Sequence, residues 1–381
     1  LWISSFDWEW TGVMNFEFDD DQRMLRDQAR RFLLDKSPPE VVRQTLEDEQ
    51  PFDRDLWQQF GDMGWIGAAI PEEYGGGGMG HLELCVIAEE LGRALAPTPF
   101  ASSVYLGAEA LLTAGSEEQK QGYLPDLATG AAIWCLALSE GPQPATEKNI
   151  AAAVSNGKLS GAKIPVADGD IADRAIVVAR DGGTVGLYIV DLNGSGVERE
   201  MVATMDPTRS QAKLTFKDAA AEKLGDDGWP LLERIQDRAA VLIAFEQIGG
   251  AQACLEMAKE YAMGRFAFGR PIAGYQAIKH RLADMYIQIE LARSNSYYGA
   301  WALSTDAAEL PVAAATARVS GNEAYHFAAK ENIQIHGGMG FTWEFNCHLY
   351  YRRSRQLALV LGSQRRWKDR LIRALERRNA A

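Results

Sequence analysis

Glu246 is the only charged side chain between Arg238 and Glu256, in the string Ala239-Ala-Val-Leu-Ile-Ala-Phe-Glu-Gln-Ile-Gly-Gly-Ala-Gln-Ala-Cys-Leu255. On a helix its neighbours three and four residues away are Leu242, Ile243, Gly249 and Gly250, with Ala239 and Ala253 one turn further out. An unpaired carboxylate on so apolar a face is costly to bury ionised, a condition that suits a group taking up a proton. Glu246 is therefore the candidate general base, and the small Gly249, Gly250 and Ala253 beside it leave room for a bulky substrate. The competing reading is a carboxylate paired with an arginine from a neighbouring helix, or one at the mouth of a subunit interface.

The segments that would position this residue come in the order helices, strands, helices. From Asp19 to about Gly130 the pattern is helical: Leu25, Ala29, Phe32 and Leu33 recur on one face, and Leu84 to Leu95 carries a similar stripe. Pro71-Glu-Glu-Tyr-Gly-Gly-Gly-Gly78 interrupts them as a loop. From Ala131 to about Leu224, runs such as Ala175-Ile-Val-Val-Ala-Arg180 and Gly186-Leu-Tyr-Ile-Val-Asp191 alternate with Gly, Asp and Asn turns, predicting a small antiparallel sheet or barrel. Helical periodicity returns near Trp229, with segments to Phe266, from Tyr275 to Leu303, from Leu310 to Gln334, and a last one ending near Arg378. The expected divisions are 14–130, 131–228 and 229–381.

Three strings then carry a resemblance. Pro71 to Gly78 is similar to a PEEYGG loop, Arg265-Phe-Ala-Phe-Gly-Arg-Pro271 followed by Gln276-Ala-Ile resembles an RxxFGxx…QAI stretch, and Gln334-Ile-His-Gly-Gly-Met-Gly-Phe341 resembles a QxxGGxG turn. Together they resemble the acyl-CoA dehydrogenases over Met14 to about Arg378. The resemblance implies a mainly α fold with a central β domain: an N-terminal helical domain, a middle β-barrel and a C-terminal four-helix bundle. It also implies FAD as cofactor, whose pyrophosphate in an acidic protein needs a guanidinium and closely approaching backbone N–H groups. By resemblance Arg265, Phe268 and Gln276 contact FAD from one subunit, while Gln334, Gly337 and Gly338 contact it from its neighbour, which implies an oligomer. Taken alone, the glycines also read as a helix-terminating turn and Arg265 as a surface ion pair.

The sequence departs from the family where proton and hydride chemistry would sit. The Glu of the family's YEG[TS] motif corresponds to Leu361 in Leu359-Val-Leu-Gly-Ser363. The family's WxT stretch corresponds to Pro165-Val-Ala167, and its T-E-P-G-A-G-S segment to Ser139-Glu-Gly-Pro-Gln-Pro-Ala145, which keeps Ser139 and Glu140. Within the family, Glu before an IGGAQ-like string together with the missing C-terminal Glu is similar to the steroid side-chain subgroup.

Composition sets outer limits. A formal charge of −13 argues against nucleic acid or an anionic membrane as the main ligand. No stretch approaches the roughly 18 to 20 apolar residues of a membrane span. Cys85, Cys135, Cys254 and Cys347 are scattered without zinc-site spacing, so no structural metal and a reducing cytoplasm are expected. Leu1 to Val13 precede Met14 and are read as an extension, although Trp2, Trp8 and Trp10 are able to pack. His280 and His336 read as hydrogen-bonding residues, Cys135 as core, and Tyr350-Tyr-Arg-Arg353 as a guide for a CoA phosphate or as an interface face.

The resemblance implies FAD-dependent α,β-dehydrogenation of an acyl-CoA thioester to a trans-2-enoyl-CoA, in fatty acid or steroid degradation. Glu246 would act as base and electrons would pass to electron-transferring flavoprotein. Two alternatives stand beside it: a catalytically degenerate partner subunit of a heteromeric enzyme, or a non-dehydrogenating flavoprotein on the same scaffold.

Overall fold

The structure, a computed structural model, describes residues 18–47 and 52–380. The expectations for Met14, Trp2, Trp8 and Trp10 lie outside the described residues.

The first helical layer comprises α1 (Asp20–Lys36), α2 (Pro39–Glu47), α3 (Arg54–Asp62), α4 (His81–Ala94), a wide π-helical segment (Ala101–Ala108) running into α5 (Glu109–Ala114), and α6 (Glu117–Ala128). A capping box starts α1: Asp19 accepts from the Gln22 amide at 2.8 Å, and the Gln22 side chain accepts from the Asp19 amide at 3.1 Å. Ala29 and Leu33 from its apolar stripe are buried.

Strands follow: β1 (Trp134–Ala137), β2 (Ala153–Ser155), β3 (Lys158–Ala167), β4 (Arg174–Asp181), β5 (Thr184–Asp191), β6 (Val197–Met201), β7 (Gln211–Ala220) and β8 (Glu222–Leu224). They form a sheet in the order β6-β7-β3-β2-β4-β5-β8, with β1 beside β4. The sheet is mixed where an antiparallel sheet or barrel was expected, because β1 and β2 both run parallel to β4. Ile176, Val177 and Val178 on β4 are all buried, as expected for a strand covered on both faces.

The second helical layer is built from α7 (Gly228–Gly264), α8 (Gln276–Ser304), α9 (Leu310–His336), α10 (Cys347–Leu357) and α11 (Gln364–Ala380). Helix α7 runs through the middle of the molecule, and its residues from Ala239 to Gly250 are all buried. It lies so close to α4 that a Cβ at Gly249 would stand 1.8 Å from the Glu89 carbonyl oxygen, and so close to α9 that one at Gly250 would meet the Tyr325 ring at 2.4 Å. The two glycines therefore serve helix contact. The room for substrate expected beside Glu246 is filled by backbone and by a tyrosine. All four cysteines are free and buried, and Cys135 sits in the core.

Candidate functional site

Glu246 projects from the middle of α7 into the junction where the sheet meets both helical layers. It is fully buried, and it is not alone: Arg209 Nη2 donates to its Oε1 at 2.7 Å, and Arg353 Nη1 lies 3.6 Å from the same oxygen. Arg209 belongs to the connection between β6 and β7, and Arg353 to α10. The expectation of an unpaired carboxylate on an apolar face is therefore corrected. Its own helix is apolar as read, but the counter-charges come from a strand connection and a distant helix that no helical spacing reveals.

The rest of the junction is paired in part, with Arg209 Nε, Arg318 Nε and Arg353 Nη1 buried without a hydrogen-bond partner. Arg353 donates from Nε to Asp206 Oδ2 at 2.7 Å and from Nη2 to Thr208 Oγ1 at 2.8 Å, and its remaining buried charge is 1% exposed. A guanidinium so placed is unavailable to a CoA phosphate, which removes Arg353, but not the partly exposed Arg352, from the phosphate-guiding reading of Tyr350 to Arg353. Asp206 and Glu246 hold the Arg353 pKa above its usual value against the opposing effect of burial. Gln356 on α10 donates to the Arg209 carbonyl at 3.2 Å, so the connection 202–210 is held from above and below. On the sheet side, Ser102 donates to Asp168 Oδ2 at 2.5 Å. Burial pushes the Asp168 carboxyl up to about 6, although Arg209 and Ser102 favour its ionised form. Arg318, also fully buried, bonds Asn322 and the Leu357 carbonyl, and burial lowers its pKa to about 9.

Leu361 is half-buried in a left-handed turn (φ 65°) between α10 and α11, and its carbonyl accepts from the Trp367 indole at 3.2 Å. It offers no proton acceptor on its side chain. On the sheet, Ser139 is half-buried, and its carbonyl accepts from Ile164 N at 2.7 Å. Glu140 accepts from Lys163 Nζ at 2.7 Å and from the amides of Ala151 and Ala152, so it fastens a loop to β3. Pro165 is exposed and Ala167 partly so, leaving no aromatic wall at that place.

The residues expected to touch FAD from two subunits all lie at one end of the same chain's helices. Arg265 follows directly on α7 and Gln276 opens α8, while Gln334 closes α9. Tyr261, one turn before Arg265, stacks on His336 at 4.1 Å, which brings the two stretches together. One chain thus presents both stretches at the same end of its helices. This end is rich in exposed aromatic surface, with Phe268 98% and Phe341 84% accessible. Arg265 is exposed with no carboxylate partner among the described residues. Gly337 has a left-handed backbone (φ 61°), and nothing lies within 4 Å of where a Cβ would stand on it or on Gly338. A free guanidinium, an open glycine backbone, the exposed amides of Gln276 and Gln334, and an aromatic platform fit a pyrophosphate-bearing nucleotide. No group of metal-ligating side chains occurs among the described residues. No helix among them is long and apolar enough to cross a membrane.

Sequence reasoning missed Arg209 and Asp206. Their signal was the string Asp206-Pro-Thr-Arg209 between two strands, coupled to the rule that a buried carboxylate lacking a partner on its own helix must find one elsewhere.

Comparison with known proteins agrees with this architecture. The family description "Acyl-CoA dehydrogenase, N-terminal domain" matches residues 19–131, and "Acyl-CoA dehydrogenase, C-terminal domain" matches 226–375. Acyl-CoA dehydrogenase IpdE2 of Mycobacterium tuberculosis is 36% identical over 357 residues, covering 92% of this chain and 96% of that protein. The solved ChsE4–ChsE5 complex from Mycobacterium tuberculosis is similar with a TM-score of 0.87 at 30% identity, over 95% of this chain and 99% of that one. A solved steroid acyl-CoA dehydrogenase, Tcur3481–Tcur3483, gives a TM-score of 0.86 at 28% identity, over 95% of this chain and 99% of that one. The chain belongs to the acyl-CoA dehydrogenase family, FAD-dependent oxidoreductases that act on CH–CH groups.

Proposed function

We propose that this chain is a subunit of a heteromeric acyl-CoA dehydrogenase. It completes the FAD site of a neighbouring, related chain, and that other chain supplies the carboxylate that removes the thioester's α-proton. The observation that carries this reading is the complete burial of Glu246 with its Oε1 engaged by Arg209 and Arg353, together with leucine at position 361. A general base needs an open path to the substrate proton, and Glu246 is fully buried, although its Oε2 accepts no hydrogen bond. Glu246 sits behind packed side chains, with one oxygen already accepting from a guanidinium.

In this assembly the chain's own residues bind and orient. Arg265 would pair with the pyrophosphate, the amides of Gly337 and Gly338 would approach it closely, and Gln276 and Gln334 would bond the polar edges of the nucleotide. Phe268, almost wholly exposed in the single chain, would be covered by the cofactor or by the adjoining subunit. FAD, when bound, supplies the acceptor for the hydride that leaves the β-carbon. Ser139, just past β1, would be the polar side chain that the β region keeps for a flavin.

The substrate class follows as a proposal from kinship: an acyl-CoA thioester oxidised to a trans-2-enoyl-CoA, with electrons passing on to electron-transferring flavoprotein. A steroid-derived acyl group is supported by the name of the Tcur3481–Tcur3483 enzyme. The name of the ChsE4–ChsE5 complex pairs two different chains, which supports a heteromer here.

Flavin content tests this directly. The chain purified alone should carry little FAD, and the chain co-purified with a related subunit bearing the C-terminal Glu should carry it in full and oxidise acyl-CoA. Full flavin and turnover in the chain alone would defeat the proposal.

A further inference from the structure

Away from the junction, a cavity of about 690 Å³ opens between the C-terminal half of α1, helix α4, the C-terminal half of α7 and residues 344–346. Two ion pairs line it and cancel within themselves: Arg30 grips Glu90 through both oxygens at 2.7 and 3.0 Å, and Arg93 bonds Glu256. Two further carboxylates on the lining, Glu260 and Glu344, have no cation partner among the described residues. The cavity therefore carries an excess of two negative charges, Glu260 and Glu344, over its balanced pairs.

A third acceptor comes from His336, which lines the cavity although its residue is only 4% exposed. Its Nδ1 lies 2.8 Å from the Asn332 carbonyl, a partner that can only accept, so Nδ1 carries the proton and Nε2 is left as an acceptor. Burial lowers the pKa of this ring, which keeps it neutral at physiological pH despite the helping carbonyl. The ring stacks on Tyr261 at 4.1 Å, and Phe345 stands edge-on to both at 5.5 and 5.8 Å. One wall is thus aromatic, and Met257 and Leu33 add apolar surface.

From this arrangement we infer that the cavity is a binding site for an organic cation with a flat apolar body, an arylalkylammonium being the simplest form. The ammonium would meet Glu260 and Glu344, and the ring would lie against Tyr261, His336 and Phe345, where π-faces favour both flat rings and positive charge. An anion of the same shape would face uncompensated carboxylates and a neutral imidazole with no proton to give on Nε2. The site borders the FAD-facing end through the Tyr261–His336 stack, but its carboxylates Glu260 and Glu344 are not among the residues assigned to FAD.

Calorimetric titration of the full chain with tryptamine, and with indole-3-propionate as the anionic counterpart of the same ring, tests the inference. Saturable tryptamine binding at least about tenfold tighter than that of indole-3-propionate is expected, a gap of ~1.4 kcal/mol. The variant Glu260→Gln/Glu344→Gln, altered only at exposed side chains, should lose about tenfold in tryptamine affinity while unfolding at the same temperature. His336→Phe should keep the stacking surface and weaken binding by less. Equal binding of the two probes, no saturable tryptamine binding, or binding indifferent to the double substitution would each overturn it.

Discussion

Glu246 and Arg209 meet at 2.7 Å across the boundary between sheet and helix, 37 residues apart in the chain, and Arg353 closes the group from a third element. The contact converts an acidic residue on an otherwise apolar helix face into a fastening between the parts of the molecule. Breaking it on one side leaves a buried charge without its partner. Glu246→Gln and Arg209→Gln are each expected to cost about 3–5 kcal/mol in urea denaturation, and the double substitution less than their sum. Strict additivity would mean that the pair is not coupled.

The second prediction concerns α7 and α4. Gly249→Ala forces a methyl into the Glu89 carbonyl, so the helices must part, and a loss of several kcal/mol or a failure to fold is expected. Gly264→Ala, at the end of the same helix with nothing within 4 Å, should be neutral or stabilising by about 0.5–1 kcal/mol. Similar effects at both positions would contradict the close packing of α7 on α4.

How much of this was legible before the fold was known is instructive at particular residues. The long segments of α7, α8 and α9 followed from 3.6-residue periodicity, and the second and third motif strings meet through the Tyr261–His336 stack, whereas the Pro71–Gly78 loop bonds α6 from Tyr74 to Glu117. The partner of Glu246 did not follow, because pairing between a strand connection and two helices depends on tertiary placement, which carries no period in the sequence. The glycines beside Glu246 suggest room in the sequence and serve helix contact in the fold. A missing side chain permits either, and only the neighbouring backbone decides.

Asp168 gives a pH prediction. Burial raises its carboxyl from 3.8 to about 6 in the folded chain, with Arg209, Arg353, Asp170 and the Ser102 hydroxyl around it. The folded state therefore favours the protonated acid. Its stabilisation is complete below the unfolded value and is lost as pH rises through about 6, amounting to at most about 3 kcal/mol. Asp168→Asn, which stays neutral, should gain stability relative to the parent chain as pH rises from about 4 to about 7. Denaturation curves across that range check it, and a difference that does not change with pH would refute it.

Arg265 gives a cofactor prediction. In the co-purified complex, Arg265→Gln should leave the helical circular dichroism unchanged and weaken FAD by about ten- to a hundredfold, the scale of one charge-assisted bond of about 1.5–3 kcal/mol. Flavin retained at the parent level after dialysis would remove Arg265 from the site.

The most direct test is an anaerobic acyl-CoA titration of the co-purified complex, with either the parent chain or Glu246→Gln, following flavin absorbance. If the proton-abstracting carboxylate belongs to the other chain, every Glu246→Gln complex that assembles and holds FAD will bleach as the parent complex does. Loss of bleaching in a stably assembled, fully flavinated Glu246→Gln complex would make Glu246 the base and contradict the assignment of Glu246 to the junction alone.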